Sequence, residues 1–395
     1  MNAHPAASAG DMNLLADDAF RLAVRGWIEA NYPPDLRFPQ RRLHWRDNRV
    51  WYDKLAAKGW LCPGWPPEWG GMGLAAGKQL IMIEELERHG CARVSDMGTL
   101  MLGPLLIKYG SEEQKRFFLP RIISGEHVWA QGYSEPDAGS DLAAVRTEAV
   151  LDGDEWVVGG QKTWITFAND ANWIFVLART SKAAKKQQGI SFLLIPMDLP
   201  GITVRPILNL DRHDEFCEVF FDRVRVPRGN LVGEIDKGWS MAKALLGFER
   251  VAIGSPKLSS LGLSRLKLLA QRAGLWGDPV FADTYTRLRL DLADLKALYE
   301  SFVDRLRRGE PVGVDVSMLK LFQSELYQRI TEVMLEVAGE EAGLLAPLDA
   351  DRGLNPSGQF LQARPTTIFG GSSEIQRNIL AKSVLELPDP PRRTA

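Results

Sequence analysis

Cysteine and histidine are both scarce in this chain. Cys62, Cys91 and Cys217 are far apart and odd in number, which argues against a disulfide framework and for a reducing compartment. The five histidines, His4, His44, His89, His127 and His213, show no metal-ligand spacing, so no metal is expected. Charge of either sign is missing in excess. A net charge of -2 gives no electrostatic reason to expect nucleic acid or an acidic membrane as partner. No apolar run approaches the roughly 18 residues of a membrane span. The first dozen residues lack both an apolar signal core and the arginines of a transit peptide. They read as a disordered tail, and a cytoplasmic location is expected. There is no Gly-x-Ser-x-Gly elbow and no Cys-x-x-Cys pair. Gly71-Met72-Gly73 with Gly77 has the wrong spacing for a dinucleotide loop and reads as a turn.

What is present describes an ordinary globular protein: 395 residues, 45% hydrophobic and 25% charged. That length exceeds what one core usually organises, so two or three domains are expected. Residues 14–127 read mainly as helix. Phe20, Leu22, Ala23 and Trp27 recur near helical spacing, as do Leu80, Ile81, Ile83 and Leu86. Glu84, Glu85 and Glu87 read as a solvated helix face. The period changes from about 128 to 234. Asp152-Gly153 is a hairpin signal, and strand-like runs follow at 155–160, 173–177, 190–196, 202–206 and 218–227. Helices return over 235–387. Asp278-Pro279 supplies an N-cap with proline at the first helical position, opening about 30 helical residues, and a second long helix runs to Gly339. Residues 1–13 and 388–395 read as tails. The fold class expected is α+β: an N-terminal helical domain, a middle β domain and a C-terminal helical bundle.

Two stretches do not read as core. Tyr133-Ser134-Glu135-Pro136-Asp137-Ala138-Gly139-Ser140-Asp141 packs proline, glycine and short polar groups into one turn, suited to a loop around a polar ligand. Trp164-Ile165-Thr166 ends a strand in an indole and a hydroxyl, a flat apolar wall beside a hydrogen-bond donor. Gly370-Gly371-Ser372-Ser373 precedes a helix with Ile375, Ile379 and Leu380 on its apolar side, and free amides at a helix start form an anion site.

With Gly160–Thr166, Phe220–Pro227 and Ile368–Arg377 in that order, the chain resembles the acyl-CoA dehydrogenase family over nearly its whole length. The resemblance implies a β-barrel middle domain and a four-helix bundle, assembled as a dimer or a homotetramer, with FAD at a subunit interface. It implies FAD contacts at Gln131, Tyr133, Ser134, Gly139, Ser140, Trp164, Ile165, Thr166, Ser372, Ser373 and Glu374. Arg272 corresponds to the pyrophosphate-binding arginine. Gly339 corresponds to the region that reaches a neighbour's flavin, though Gly339-Glu340-Glu341 departs from the usual Gly-Gly. Ser140, Phe248, Arg250 and Gly371 would meet the acyl-CoA, and the Gly370 amide its carbonyl.

The commonest base of the family is a glutamate where this chain has Gly370. Relatives resembling the isovaleryl- and long-chain-type enzymes place it instead at the position of Glu249, in Gly247-Phe248-Glu249-Arg250. The activity implied is desaturation of an acyl-CoA thioester in fatty acid metabolism, with electrons passed to an electron-transfer flavoprotein. Two alternatives stand beside it: an FAD- and CoA-binding subunit of a hetero-oligomer without full activity alone, and a flavin oxidase or monooxygenase on the same fold. Acyl chain length is not legible.

Overall fold

The computed structural model describes residues 9–95, 97–243, 254–310 and 312–388. The chain falls into two compact units, Met1–Leu245 and Leu246–Ala395. Expectations that fall on residues 1–8, 244–253 and 389–395 lie outside the described residues.

Helices open the first unit: α1 (Ala9–Leu14), α2 (Asp17–Asn31), α3 (Trp45–Lys58), α4 (Ala76–Arg88), α5 (Gly103–Tyr109) and α6 (Glu112–Ile123). The helix α1 replaces part of the expected disordered tail. Met12 is buried, and Asn13 donates to the Gly73 carbonyl (2.8 Å) while accepting from the Ala75 amide (3.1 Å). The stripe of α2 is Phe20, Val24 and Ile28, spaced by one helical turn; Leu22, expected on it, is 64% exposed. On α4 the inward positions are Lys78, Ile81, Met82 and Glu85, and Ile83 faces outward. Ser111 and Gln114 form a reciprocal capping box at the start of α6. The Gln114 amide also donates to the carbonyls of Gly229 and Leu231, 2.8 Å each, fastening this helix to the edge of the sheet.

Glu85 corrects the solvated-face reading. It is 1% exposed and accepts from Arg21 (3.0 Å), Arg25 (2.8 Å) and Arg88 (2.7 Å). Burial favours its neutral form, but the three guanidinium groups outweigh burial and hold its pKa at about 2. Three bulky cations converge on one acid, which is why α2 and α4 carry charge on the faces they share.

Eight strands among the described residues form one sheet: β1 (Trp129–Gly132), β2 (Glu148–Asp152), β3 (Glu155–Thr166), β4 (Trp173–Arg179), β5 (Ile190–Pro196), β6 (Ile202–Ile207), β7 (Phe216–Pro227) and β8 (Leu231–Val232). The order is β6-β7-β3-β2-β4-β5-β8, with β1 parallel to β4. β4 and β5 are apolar at nearly every position because both of their faces are buried. Phe175, Leu177, Phe192 and Leu194 join the core of the helices, while Ile174, Val176, Leu193 and Ile195 join a second core inside the sheet with Trp156, Val158 and Val224. One sheet thus serves two cores, and the helical and β blocks fold as one unit.

The described part of the second unit comprises α7 (Lys257–Arg272), α8 (Pro279–Arg307), α9 (Ser317–Ala338), α10 (Pro356–Ala363) and α11 (Ser373–Ser383). Asp278 caps α8 through the amides of Val280 and Phe281. Helix α9 is the hub, touching the other four.

Glu85→Ala is expected to cost about 3 kcal/mol in urea unfolding, since hydrogen bonds to charged groups are lost together. The folded-state pKa is depressed, so the stabilisation is present above the unfolded carboxylate pKa of about 4.3. It is lost as pH falls from there through about 2. The wild-type advantage over Glu85→Ala should shrink across that window; an advantage independent of pH between 5 and 2 would contradict the ion cluster.

Candidate active site

The loop after β1 is closed by chemistry its residues dictate. Pro136 presets the backbone of a turn whose flanks, Glu135 and Ala138, exchange amide-to-carbonyl bonds of 3.0 Å each. Tyr133 is buried with its ring edge-on to Phe175 and Phe192. The Glu135 carboxylate accepts from the amides of Arg146 (2.6 Å) and Thr147 (2.9 Å) and from the Lys162 ammonium (2.8 Å). Lys162 is fully buried, and its other two donors reach the carbonyls of Tyr133 (3.1 Å) and Leu177 (2.8 Å). Burial lowers the Lys162 pKa to about 8 against the upward pull of Glu135. Burial pushes Glu135 the other way, and Lys162 and the two amides bring its pKa below the ordinary value. The pair is therefore ionised at neutral pH.

Lys162 lies on β3, and Trp164 follows at an irregularity in the β3–β7 ladder between Lys162 and Ile165. Trp164 has φ 59° and Phe167 φ 50°, a left-handed backbone that costs about 1–3 kcal/mol at a bulky residue. The bulge turns the Trp164 indole outward, 60% exposed, with the Phe216 ring edge-on beside it at 6.1 Å. Thr166 is half-buried on the following turn of the pleat. The Ile165 side chain, expected at the cofactor, packs instead in the sheet core, because the irregularity between Lys162 and Ile165 resets the alternation of the strand. The Thr163 amide donates to the Ser134 carbonyl at 2.9 Å, holding the loop against this strand. Gly139 and Ser140 are exposed, and a Cβ on Gly139 would meet nothing within 4 Å. An uncovered indole held in strained backbone beside a hydroxyl and a polar loop fits a flat heteroaromatic group such as a flavin ring.

A narrow recess of about 20 Å³, room for roughly one water, lies beside Thr166, walled by Trp45, Arg93, Met97, Trp129 and Phe167. Asn48 and Trp129 also line it, and the buried Asn48 Oδ1 and Trp129 Nε1 have no hydrogen-bond partner among the described residues.

In the second unit, Gly370 (φ 63°) and Gly371 (φ 86°) lead into α11, and Ser372 Oγ accepts from the Ile375 amide at 3.3 Å. The Gln376 amide donates back to the Gly370 carbonyl at 2.9 Å. The inward residues of α11 are Ser373 and Gln376; Ile375, Ile379 and Leu380 are only half-buried, so the expected apolar side is partly polar. Glu374 is exposed on the first turn. Arg272 donates to Glu341 at 2.7 Å, and Gly339 closes α9 with φ 53°. Glu249, Phe248 and Arg250 lie outside the described residues.

Two groups escaped sequence reasoning. Glu135 and Lys162 sit inside the quoted motifs, and the signal was a lysine sharing the inward parity of Trp156 and Val158 on β3. His44 and His213, unremarkable in spacing, come together with ring centroids 5.3 Å apart. Both nitrogens of His44 meet carboxylates, Asp170 on Nδ1 and Asp214 on Nε2, each at 3.0 Å. Nothing local in the sequence marks that cluster.

Lys162→Met would leave the Glu135 carboxylate buried with two amides and no cation. The expected loss is about 3–5 kcal/mol in urea unfolding; a loss below about 1 kcal/mol would contradict a buried, charged pair.

Family models match three consecutive parts of the chain: acyl-CoA dehydrogenase N-terminal domain over residues 16–126, middle domain over 130–224 and C-terminal domain over 236–385. Acyl-CoA dehydrogenase IpdE1 of Mycobacterium tuberculosis is 38% identical over 381 residues, covering 94% of this chain and 98% of the relative. Among solved structures, the Tcur3481-Tcur3483 steroid ACAD is 29% identical with a TM-score of 0.83, covering 98% of this chain and 100% of its own. The ChsE4-ChsE5 complex from Mycobacterium tuberculosis is 31% identical with a TM-score of 0.80, covering 95% and 98%. The chain belongs to the acyl-CoA dehydrogenase family, oxidoreductases that act on CH–CH groups.

Proposed function

We propose that this chain binds FAD on the Trp164–Thr166 strand end and desaturates the α,β bond of an acyl-CoA thioester, passing electrons to an electron-transfer flavoprotein. The observation that carries this reading is the outward indole of Trp164, held at φ 59° by the β3 bulge and next to Thr166. FAD, when bound, accepts the hydride that leaves the β-carbon. Gln131, Tyr133, Ser134, Gly139 and Ser140 offer the stretch that meets the cofactor. Ser372, Ser373 and Glu374, at the start of α11, are further FAD contacts in this reading.

The base assigned is Glu249, whose carboxylate takes the α-proton while the Gly370 amide donates to the thioester carbonyl and stabilises the charge that develops there. The backbone supports placing the base away from position 370. Gly370 adopts φ 63°, where a glutamate would be strained. Phe248, Arg250 and Gly371 belong to the acyl-CoA side of this assignment.

The acyl group proposed is a bulky, oxygenated one, of the kind a steroid side chain or ring remnant presents. One comparison supports it. The Tcur3481-Tcur3483 relative is a steroid ACAD.

A second reading concerns assembly. Arg272, the position implied for the pyrophosphate, is paired with Glu341, and the related ChsE4-ChsE5 structure is a complex of two proteins. Both favour a hetero-oligomer in which a second, related chain completes the cofactor site. If so, the chain purified alone should hold less than one FAD per protomer and recover full occupancy with its partner.

Glu249→Gln keeps shape and hydrogen bonding but cannot accept the α-proton. With FAD and acyl-CoA bound, anaerobic flavin bleaching should slow by about 10²–10⁴-fold. Bleaching at the wild-type rate would remove Glu249 as the base. Across a panel of thioesters, oxygenated cyclic acyl groups should bleach the flavin fastest; a preference for straight chains would overturn the substrate proposal.

A further inference from the structure

The segment that follows Thr166 is fastened by a network the flavin motifs do not include. After β3 the chain turns over residues 167–172, with Phe167 at φ 50° and the amides of Asp170 and Ala171 closing on the Phe167 carbonyl. The Phe167 amide donates to the Glu215 carbonyl at 2.7 Å, and Asn169 donates to the Asp214 carboxylate at 3.0 Å. These contacts join the turn to the loop before β7. The segment before α3 spans both loops. His44, the residue before α3, meets Asp170 through Nδ1 and Asp214 through Nε2, each at 3.0 Å. The next amide, of Trp45, donates to the same Asp170 at 2.7 Å, so Asp170 also caps α3.

Carboxylates accept and do not donate when ionised, so a ring that bonds one at each nitrogen must carry both protons. We infer that His44 is a positioning residue, a doubly protonated imidazolium that clamps the 167–172 turn to the 209–215 loop and so fixes Thr166 and Phe167 at the flavin wall. The inference rests on the reading that Thr166 faces the flavin. Every neighbour has been placed by the same chemistry. Phe167 lies edge-on to His44 at 5.1 Å and to His213 at 5.8 Å. Arg42 covers the Phe167 ring at 5.2 Å and pairs with Glu215 at 2.9 Å.

The charged and titratable groups around the ring come from three elements. Asp170 stands on the turn after β3, and Arg212, His213, Asp214 and Glu215 stand on the loop before β7. Arg41, Arg42, Arg46 and Asp47 stand on the segment of His44 itself. Burial disfavours the charged ring, but the hydrogen bonds and charges of Asp170, then Asp214, outweigh it and raise the His44 pKa above its ordinary value. A raised folded-state pKa means the clamp contributes fully below about pH 6.5 and is lost as pH rises through the folded-state value.

The test compares wild-type holoenzyme with His44→Gln by thermal melting, flavin absorbance and anaerobic flavin reduction from pH 5.5 to 9. The expected result is a wild-type melting advantage that is present at low pH and fades as pH rises. Flavin reduction in His44→Gln should be about tenfold slower at low pH, since small misplacements at a reacting centre are costly, with acyl-CoA affinity little changed. At high pH the flavin spectra of the two proteins should converge. A melting advantage that ignores pH would overturn the imidazolium clamp. A pH-dependent advantage with identical flavin spectra and reduction rates would overturn the positioning role and leave His44 a structural pin. The underlying flavin reading fails separately, if Trp164→Ala leaves the flavin spectrum unchanged with FAD bound. Should His44→Gln not fold, Asp214→Asn carries the same comparison, because it spares the Asp170 cap on Trp45.

Discussion

A lysine with no exposed surface, facing a carboxylate that also accepts two backbone amides, is the contact on which the rest of the site depends. Glu135 belongs to the loop after β1, Lys162 to β3, and the amides it binds to the segment that enters β2. One ionised pair therefore ties three pieces of chain together, adding to the β2–β3 ladder and the Thr163–Ser134 bond. An apolar pair of the same volume could hold them together, but it would leave the Arg146 and Thr147 amides without acceptors. The charge is what makes the arrangement single-valued. With Lys162 locked inward, the next residues on β3 must accommodate a bulge, and the Trp164 indole turns out to solvent as a consequence.

Strain and charge are concentrated on the same few residues. Trp164 and Phe167 both adopt left-handed backbone on either side of Thr166. Such conformations persist only where the surroundings over-determine them. On one side that duty falls to Lys162 and the Thr163–Ser134 bond, and on the other to Asp170, Asp214, Glu215 and His44. The strand end is thus pinned from within the sheet and from the helices. A wall made this way moves little when a ligand arrives, which suits a group whose electronic properties depend on a hydrogen bond of fixed length.

Much of this was legible in the sequence, and the reasons for the rest are physical. Strands read from period and turn signals fell where β3 to β7 form, because β4 and β5 are buried on both faces and leave long apolar runs. The cap at Asp278 was readable because it acts over three residues. Stripe positions were less so: Leu22 and Ile83 are apolar yet exposed, since Phe20, Val24 and Ile28 already fill the face of α2. Buried charge was the hardest feature. Glu85 looks like any surface acid until Arg21, Arg25 and Arg88 are brought to it, and His44 meets Asp170 and Asp214 only across 126 and 170 residues of chain.

The central claim is that Thr166 donates to the flavin ring from a wall fixed in place by charge and strain. The most direct measurement is the two-electron potential of bound FAD in Thr166→Val. Loss of one hydrogen bond worth about 1 kcal/mol corresponds to a shift of about 20 mV for a two-electron couple, with FAD still bound and the protein folded. An unchanged potential and spectrum with full FAD occupancy would contradict the account.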